Sequence, residues 1–260
     1  MAFHGKVALV TGAGSGMGRI EAQRLAQGGA QVAVLDVNEA GLEETAAGYE
    51  RMHCYACDVT NLERIKEVVR AVESELGTID RLVHAAAIMP TGLLATADPD
   101  WVKRLMRVNY EGTVNMVLTI LPAMLERRSG DIIVYGSVAG SVLAPHLAAY
   151  GSSKAAVNAF METLIHENLD SGVRIMLACP PMVNTPLIKQ AQETSNPRSI
   201  QQGMQSGRFA DPEDIVTAVE AGIEKGVKIL LPTREARFLM RLRRFAPGLL
   251  WKIILKAEYS

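Results

Sequence analysis

The sequence predicts an α/β fold built on a doubly wound, mostly parallel sheet, and three observations support this prediction. Short apolar segments alternate with segments of helical periodicity from Lys6 onward, which is the pattern of repeated β-α-β units. The strand segments are apolar along their length, as expected for strands covered by helices on both faces. A glycine-rich turn follows the first strand and opens the first helix. These features indicate one large domain without an internal linker.

Local sequence patterns predict each strand and helix of this fold. The predicted strands are compact apolar segments: Lys6–Thr11, Gln31–Asp36, His53–Cys57, Leu82–Ala85, Asp131–Tyr135, Arg174–Ala178 and Lys228–Leu231. The predicted helices show helical spacing or good helix formers: Gly16–Gln27, Glu39–Ala47, Leu62–Leu76, Pro99–Arg127, Tyr150–Leu169 and Asp211–Lys225. The fourth of these helices begins with Asp98 as N-cap and Pro99 in its first turn, and both residues favour a helix start.

Composition argues against several functional classes. Apolar residues form 48% of the chain, enough for a substantial core, and the formal net charge of −1 gives no reason to expect nucleic acid as a partner. The N-terminus leads directly into a strand without the ordered regions of a signal peptide, so we expect a cytoplasmic protein. The cysteines are Cys54, Cys57 and Cys179. Such a sparse set predicts neither a disulfide framework nor a metal site.

The last residues differ in character from the rest. We expect a catalytic domain over residues 1–232 and a basic, amphipathic helical extension over 233–260, split into two short helices at Pro247-Gly248. One side of its helical wheel is basic, with Arg234, Arg237, Arg241, Arg244 and Lys252. The other side is apolar, with Phe238, Leu242, Phe245, Ala246, Leu249 and Ile253. Two interpretations stay open: peripheral membrane contact through residues 234–256, or packing over the substrate cleft or a neighbouring subunit.

The glycine-rich turn predicts a dinucleotide site. Gly12, Gly16 and Gly18 allow a tight turn and close approach of a pyrophosphate at the positive end of the following helix. Asp36, about 20 residues on, would accept hydrogen bonds from the adenosine ribose and repel a 2′-phosphate. Because Ser15 and Val37 are neutral, NAD(H) is favoured over NADP(H). Two alternatives need no ligand: the glycines could form an ordinary loop, and Asp36 could be an acid in a turn at the end of the strand.

A second cofactor candidate follows the third strand. Asp58 could cap the next helix, or it could touch adenine through its side chain and the Val59 amide. These two interpretations do not exclude each other.

Tyr150 and Lys154 predict acid-base chemistry. Residues four apart share one helix face, so we expect the ammonium to lie beside the phenol. A positive charge nearby favours the phenolate and lowers a pKa that is ordinarily about 10. A tyrosine tuned in this way can exchange protons with a substrate near neutral pH.

Five motifs in this order resemble the short-chain dehydrogenase/reductase family, which has a Rossmann-like fold. They are TGAGSGMG at residues 11–18, Asp58-Val59-Thr60, Asn109 in Val-Asn-Tyr-Glu-Gly, Gly136-Ser137 and Tyr150-x-x-x-Lys154. The resemblance covers about residues 5–232. It implies that Tyr150 is the general acid or base, that Lys154 lowers the pKa of Tyr150 and binds the nicotinamide ribose, that Ser137 holds the reacting oxygen, and that Asn109 holds a water in a proton relay.

The resemblance also implies a cofactor set and shows two departures from the family pattern. The set is Gly12, Ser15, Gly16, Met17, Gly18, Asp36, Val37, Asp58, Val59, Ala85, Ala86, Tyr150, Lys154, Pro180, Val183 and Thr185. His84-Ala85-Ala86-Ala87 occupies the usual Asn-Asn-Ala-Gly site, and Pro180-Pro181 replaces Pro-Gly. His84 either replaces a lost amide or is a buried, satisfied core residue.

We expect the substrate to be small and apolar, since the segments that form substrate walls in this family carry few charges. The candidate contacts are Ser137, Val138, Leu143, Tyr150, Met182 and Leu187. The polar stretch Pro186–Phe209 has the length of a mobile lid. The apolar stretch Val114–Leu125 suits a subunit contact, and the resemblance implies a homodimer or homotetramer.

The sequence therefore predicts an oxidoreductase that transfers a hydride between NAD(H) and a secondary alcohol or ketone on a steroid, lipid-like or cyclic substrate. Two alternatives stay open: a 3-oxoacyl thioester reductase, and a non-catalytic dinucleotide sensor or membrane-docked binding protein.

Overall fold

The computed structural model describes residue 3 and residues 5–260, and it contains a seven-stranded parallel sheet in the order β3-β2-β1-β4-β5-β6-β7. The strands are β1 Val7–Thr11, β2 Gln31–Asp36, β3 Met52–Ala56, β4 Arg81–His84, β5 Gly130–Tyr135, β6 Val173–Ala178 and β7 Ile229–Leu230. Each predicted strand is present, and no strand end is shifted by more than one residue. The predicted fold class is confirmed.

Helices cover both faces of the sheet. They are α1 Gly16–Gln27, α2 Glu39–Ala46, α3 Leu62–Glu75, α4 Pro99–Met106, α5 Gly112–Glu126, α6 Ala148–Glu167, α7 Leu187–Glu193, α8 Arg198–Gln205, α9 Pro212–Glu224, α10 Arg234–Phe245 and α11 Pro247–Tyr259. Short 3-10 turns occupy Leu94–Thr96 and Val138–Gly140.

Alternation along the strands creates two cores, because successive strand side chains point to opposite faces. Leu9 joins a cluster that contains residues of α3, α5 and α6. Its neighbour Val10 joins a second cluster, formed with α1, α2 and α9. A third cluster, discussed below, lies beyond the carboxyl ends of the strands around Tyr150. This arrangement places α6, which carries Tyr150 and Lys154, against the same face as α5.

The structure differs from the predicted long helix over Pro99–Arg127. A π-helical turn at Arg107–Glu111 separates α4 from α5, and Asn109 lies within it. Turns of this kind commonly mark functional sites. Neither glycine nor proline stands in Arg107–Glu111, so apolar periodicity alone could not locate the irregular turn.

The predicted polar lid over Pro186–Phe209 also has more structure than expected. It contains α7 and α8, and its hydrogen bonds attach it to the segment after β4. The Met89 amide donates to Gln190 Oε1 at 2.8 Å, and the Thr91 amide donates to Thr194 Oγ1 at 2.8 Å.

The predicted division of the tail at Pro247 is confirmed, since α10 ends at Phe245 and α11 begins at Pro247. The helix α10 packs against the turn Val138–Gly140, and α11 packs against α8. Across the described part of the chain, no helix combines the length and apolar character that a membrane span requires.

A buried acid anchors the carboxyl end of β5 to α1. The Tyr135 hydroxyl donates to Glu21 Oε1 at 2.7 Å, and Glu21 is fully buried. Its second oxygen, Oε2, has no hydrogen-bond partner among the described residues. Burial raises the pKa of Glu21; the hydrogen bond from Tyr135 opposes this rise and the nearby Glu220 adds to it, and together these effects bring the pKa to about 7. The folded protein therefore favours the neutral carboxyl.

We predict that Glu21→Gln stabilises the protein at pH 8 and has little effect at pH 4. Between pH 4.5 and about 7 the folded state retains a proton that the unfolded state has lost, so wild-type stability falls as pH rises through this window. The glutamine keeps an acceptor for Tyr135 without a charge. Urea unfolding should show a gain on the order of 2 kcal/mol at pH 8. An equal effect at both pH values, or any such gain in the exposed control Glu73→Gln, would contradict this account.

Candidate active site

The order of the strands places a cleft at the carboxyl edge of the sheet. The strands β1 to β3 are added toward one edge of the sheet and β4 to β7 toward the other, so the strand order reverses between β1 and β4. Such a switch point is where doubly wound sheets bind ligands. A cavity of about 540 Å³ lies there. Its lining includes twelve of the predicted cofactor residues: Gly12, Ser15, Gly16, Met17, Gly18, Asp36, Val37, Asp58, Val59, Ala85, Ala86 and Thr185.

The glycine turn is shaped for close approach of a ligand to the backbone. Gly12 and Gly16 have φ of 66° and 53°, which side chains rarely tolerate. A Cβ at Gly12 would lie 2.7 Å from the Ala86 amide nitrogen, and one at Gly18 would collide with the Gly12 carbonyl. The side chain of Ser15 makes no capping bond to α1, and no acid lies in the first turn of that helix. The amides at this helix end therefore suit an anion.

Asp36 connects the end of β2 to the glycine turn. Its Oδ2 accepts from the Gly14 amide at 3.0 Å, and its Oδ1 accepts from the Asn38 amide at 3.0 Å. A Cβ at Gly14 would approach the carboxylate to 3.0 Å, so this glycine, absent from the predicted set, is needed for the contact. Each carboxylate oxygen has a further lone pair for a ribose hydroxyl.

Asp58 does not cap the next helix. The N-cap of α3 is Asn61, whose Oδ1 accepts from the Arg64 amide at 3.0 Å. Asp58 instead accepts from the Thr60 amide at 2.8 Å and lines the cavity with Val59. The capping interpretation was wrong because the N-cap position of α3 lies three residues after Asp58.

His84 joins two strands beneath the cavity. Its Nδ1 is 2.8 Å from Thr11 Oγ1, which also accepts from the Ala86 amide at 3.3 Å. Burial and, to a smaller extent, the charge of Lys154 lower the pKa of His84 to about 3. The ring is therefore neutral. A histidine to threonine bond across the β1 and β4 ends is thus present where the family pattern has an asparagine.

The structure brings Ser137, Tyr150 and Lys154 together beside this cavity. Tyr150 forms a hydrogen bond with the side chain of Ser137. Lys154 Nζ donates to the Tyr135 carbonyl at 2.7 Å. All three residues are buried; Ser137 caps the turn that follows β5, and Tyr150 and Lys154 lie in the first half of α6.

The pKa values of Tyr150 and Lys154 differ from the sequence expectation. Burial raises the pKa of Tyr150 to about 12, although the bond from Ser137 opposes this rise. Burial lowers the pKa of Lys154 to about 8. Desolvation disfavours each charged form, and the Lys154 ammonium donates its hydrogen bond to the Tyr135 carbonyl. The phenol is therefore protonated at neutral pH in this structure.

Asn109 is connected to Tyr150 by hydrogen bonds through Ser153. Its Nδ2 donates to Ser153 Oγ at 2.9 Å and to the Ile88 carbonyl at 3.0 Å, and its Oδ1 accepts from the Ile88 amide at 2.9 Å. Ser153 Oγ in turn donates to the Tyr150 carbonyl at 2.8 Å. The side chain of Asn109 thus holds the segment after β4 against α6. Ser153 was missed because serine has no distinctive pattern inside a helix.

The remaining predicted residues fall into two groups. Pro180 and Val183 are buried beside the cavity without lining it, and the Pro180 carbonyl accepts from the Val138 amide at 3.1 Å. Among the predicted substrate contacts, Met182 and Leu187 pack against the apolar cluster of Tyr150, Val138 is buried, and Leu143 is exposed. That cluster consists of Met89, Leu105, Leu147, Ala149, Tyr150, Ile188, Ala191 and Ile200.

Sequence reasoning also missed several residues that line the cavity: Gly14, Leu35, Asn38, Cys57, Thr60, Ala87, Ile88, Arg104, Arg107, Val108, Pro186 and Gln190. Most of them directly follow or precede a residue that was predicted, so adjacency was the available signal. Arg104 and Arg107 belong to α4 and the π-helical turn, whose position over the cavity depends on packing. Elsewhere, Cys54 and Cys57 are free thiols. The described residues include no cluster of three His, Cys, Asp or Glu side chains suited to a metal.

Asn158 is a further residue of the site that sequence reasoning missed. It lies one helical turn after Lys154, its Nδ2 donates to the Ser137 carbonyl at 2.9 Å, and its Oδ1 accepts from the Ser137 amide at 3.3 Å. The Cys179 thiol is 3.6 Å from the same oxygen. A Cβ at Gly136 or Gly140 would collide with the Asn158 carboxamide. Asn158 therefore fixes the backbone that carries Ser137.

Comparison with known proteins agrees with this geometry. The family model for short chain dehydrogenase matches residues 6–196. The chain belongs to the short-chain dehydrogenase/reductase family. It is an oxidoreductase of a family that acts on alcohol or ketone groups and binds nicotinamide dinucleotides.

Two curated relatives within this family show the range of activities around the chain. Estradiol 17-beta-dehydrogenase 11 of Pongo abelii is 33% identical over 251 residues, which cover 94% of this chain and 80% of the relative. The 3-oxoacyl-(acyl-carrier-protein) reductase FabG of Thermotoga maritima is 31% identical over 224 residues, which cover 84% of this chain and 90% of the relative.

Two solved structures have the same fold and different cofactors. A short chain dehydrogenase/reductase from Burkholderia phymatum in complex with NAD has a TM-score of 0.85 at 28% identity, with 96% of each chain covered. An actinorhodin polyketide ketoreductase variant with NADPH has a TM-score of 0.79 at 29% identity, with 87% of this chain and 95% of that chain covered.

We predict that Asn158→Ala lowers kcat of this short-chain dehydrogenase/reductase about tenfold while leaving the Kd for the dinucleotide within about twofold. The loss corresponds to about 1.4 kcal/mol, the scale of a misplaced hydrogen-bonding group in a site. Turnover and fluorescence titration with NADH would check both values. The matched control is Asn168→Ala, whose Nδ2 donates to the Leu164 carbonyl far along the same helix. Equal losses in both variants would show that Asn158 contributes only to stability.

Proposed function

We propose that this chain interconverts secondary alcohols and ketones on an apolar substrate with NAD(H) as cofactor. The observation that carries the proposal is the buried, hydrogen-bonded pair Ser137 and Tyr150, whose phenol belongs to an apolar cluster next to the cavity of the glycine turn. Binding alone requires no buried phenol beside a buried lysine. Proton exchange during hydride transfer requires both a donor and a means of setting its pKa.

The residues present fit a nicotinamide dinucleotide. The glycine turn and the uncapped start of α1 suit the pyrophosphate, and Asp36 suits the adenosine ribose. Asp58 and Val59 would hold adenine, and Thr185 with Lys154 would hold the nicotinamide end. When bound, the nicotinamide supplies the acceptor or donor of the hydride.

Ser137 and Tyr150 handle the reacting oxygen of the substrate. Ser137 Oγ accepts from the Ala139 amide at 3.0 Å, which fixes its orientation. Tyr150, protonated at neutral pH, gives its proton to the oxygen of a ketone during reduction. In oxidation it takes the hydroxyl proton, and this step requires the phenol pKa to fall. Lys154, with a pKa of about 8, supplies positive charge for that purpose below pH 8.

NAD(H) is favoured by the charge and surroundings of Asp36. Both carboxylate oxygens are held by backbone amides, so the charge cannot swing away from a 2′-phosphate. Val37 is 69% exposed and neutral, and it offers such a phosphate no partner. The NAD complex from Burkholderia phymatum is consistent with this preference.

An apolar substrate is favoured by the surroundings of Tyr150. Met89, Leu147 and Ile188 are buried around it, and Met182 and Leu187 pack against them. The resemblance to an estradiol dehydrogenase supports a steroid or another lipid-like alcohol. The second candidate is reduction of 3-oxoacyl thioesters, which the similarity to the Thermotoga maritima reductase favours.

Assembly is also part of the proposal. Members of this family are typically oligomeric. We propose a homodimer or homotetramer that uses α5 and α6, and Leu118 of α5 is 48% exposed on this surface.

We predict that Tyr150→Phe abolishes turnover and spares NADH binding. The substitution removes only the hydroxyl that exchanges the proton, so kcat should fall at least about thousandfold, near the upper part of the range for general acid-base catalysis. Initial rates with NADH and NADPH should be measured on steroid, long-chain and cyclic ketones and on a 3-oxoacyl thioester. Tyr110→Phe, which lies on the π-helical turn, is the matched control. Undiminished turnover in Tyr150→Phe would refute the assignment.

We predict that Asp36→Asn raises the ratio of kcat/KM for NADPH over NADH at least about tenfold, because it removes about 1–2 kcal/mol of charge repulsion. The amide keeps an acceptor for the Gly14 or Asn38 amide, so the glycine turn should persist. Adding Val37→Arg should raise the ratio further by pairing the phosphate. Val37→Gln is the neutral control. An unchanged ratio in both Asp36 variants would show that another residue selects the cofactor.

A further inference from the structure

The two C-terminal helices expose apolar side chains instead of burying them. Phe238 and Phe245 of α10 are 60% and 77% exposed, and Leu249 and Ile253 of α11 are 53% and 48% exposed. The opposite side of each helix faces the protein, where the buried residues of the tail are Ala236, Leu250 and Glu258. These four residues of the predicted apolar side are therefore exposed. The predicted separation into a basic and an apolar side is wrong for α10, because Arg241 shares the exposed face with Phe238 and Phe245.

Cations lie among these exposed apolar residues. Arg241 stands between Phe238 and Phe245 on one side of α10, and Lys252 adjoins Ile253 on α11; both cations are exposed. The guanidinium of Arg244 is 5.6 Å from the centre of the Phe245 ring. We call this surface the tail face and define it by Phe238, Arg241, Arg244, Phe245, Leu249, Lys252 and Ile253.

The charge of the tail is strongly polarised. Residues 236–257 contain six Lys or Arg and no Asp or Glu. Subtracting this +6 from the formal charge of −1 leaves −7 on the rest of the chain. A surface that combines exposed aromatic and aliphatic side chains with unopposed cations suits an anionic, amphipathic partner.

The tail is attached firmly enough to present this surface. Thr233 Oγ1 caps α10 by accepting from the Ala236 amide at 3.0 Å. The Glu258 carboxylate accepts from the Arg198 and Ser199 amides at 2.7 and 3.1 Å, at the start of α8. Glu258 thus fixes the end of the tail to α8, and α10 packs against the turn Val138–Gly140. The exposed residues of α10 and α11 meet at Ala246, the junction of the two helices.

We propose that the tail face docks the protein on the surface of an anionic phospholipid bilayer. The apolar residues would enter the boundary between head groups and acyl chains, while the arginines and lysine pair with lipid phosphate and carboxylate groups. Long cationic side chains reach the head groups while their stems contact apolar surface. This inference goes beyond the proposed function, and its test does not use turnover.

A second copy of the chain fits the tail face less well. A two-fold contact places the same surface of both copies together. The +6 of one tail would then meet the +6 of the other without an acid between residues 236 and 257 to pair with it. An anionic bilayer removes this repulsion.

Co-sedimentation of the full chain with vesicles tests the proposal. Phosphatidylcholine vesicles with and without phosphatidylserine should be compared at low and high salt. We expect binding to the mixed vesicles that weakens as salt rises, since the attraction is screened. Arg241→Gln with Arg244→Gln should weaken it about thirtyfold, because each cation near an anionic surface contributes about fivefold. Phe238→Ser with Phe245→Ser and Ile253→Ser should weaken it at least about tenfold.

Matched controls lie elsewhere on the surface. Arg70→Gln on α3 and Leu169→Ser after α6 replace exposed residues of the same types and should leave binding unchanged. Thermal unfolding should show that each variant is folded. Failure of the wild type to bind mixed vesicles, or equal losses in the controls, would overturn the proposal. If the tail variants dissociate an oligomer but still bind vesicles, the tail face contacts a second copy of the chain. If the tail variants selectively lose binding to RNA, the tail face binds nucleic acid. Either result would also overturn the proposal.

Discussion

The hydrogen bond from Lys154 Nζ to the Tyr135 carbonyl is the constraint on which the site depends. It satisfies a buried ammonium that would otherwise be costly, and it ties α6 to the end of β5. The other side of the same strand end is held by the bond from the Tyr135 hydroxyl to Glu21. Ser137 follows two residues later, and Asn158 holds its backbone from the next turn of α6. The positions of Tyr150, Lys154 and Ser137 therefore derive from one strand end fixed on both faces.

This arrangement also explains why the site tolerates departures at the family positions. The bond between His84 and Thr11 connects the ends of β4 and β1 without the usual asparagine. Asn109 holds the next segment through both backbone groups of Ile88. Pro181 removes a donor from a loop whose neighbour Pro180 still accepts from the Val138 amide. In each case the backbone is held by a bond that does not require the missing side chain.

Elements and motifs could be predicted because their causes are local. Apolar strands, the glycine turn and the Tyr150 to Lys154 spacing all follow from a few neighbouring residues. The π-helical turn at Asn109, the contact between Asn158 and Ser137, and the raised pKa of Tyr150 depend on distant packing and on burial. The N-cap of α3 was misassigned because Asp58 and Asn61 are both good caps, and the structure decides between them. The direction of the tail helices likewise depends on Glu258 reaching α8.

The attachment of the tail brings the proposed docking surface near the reacting groups. Helix α11 packs on α8, and Ile200 of α8 belongs to the apolar cluster that contains Tyr150. Helix α10 packs against the turn Val138–Gly140, which directly follows Ser137. Only one layer of structure thus separates the tail from the reacting groups on each side. If the substrate is a lipid-like alcohol, a protein docked through this face would hold its substrate-binding side close to the phase in which that alcohol dissolves. The apolar residues of the tail face and the apolar cluster around Tyr150 would then both serve an apolar substrate, one by docking at the lipid phase and the other by binding the alcohol.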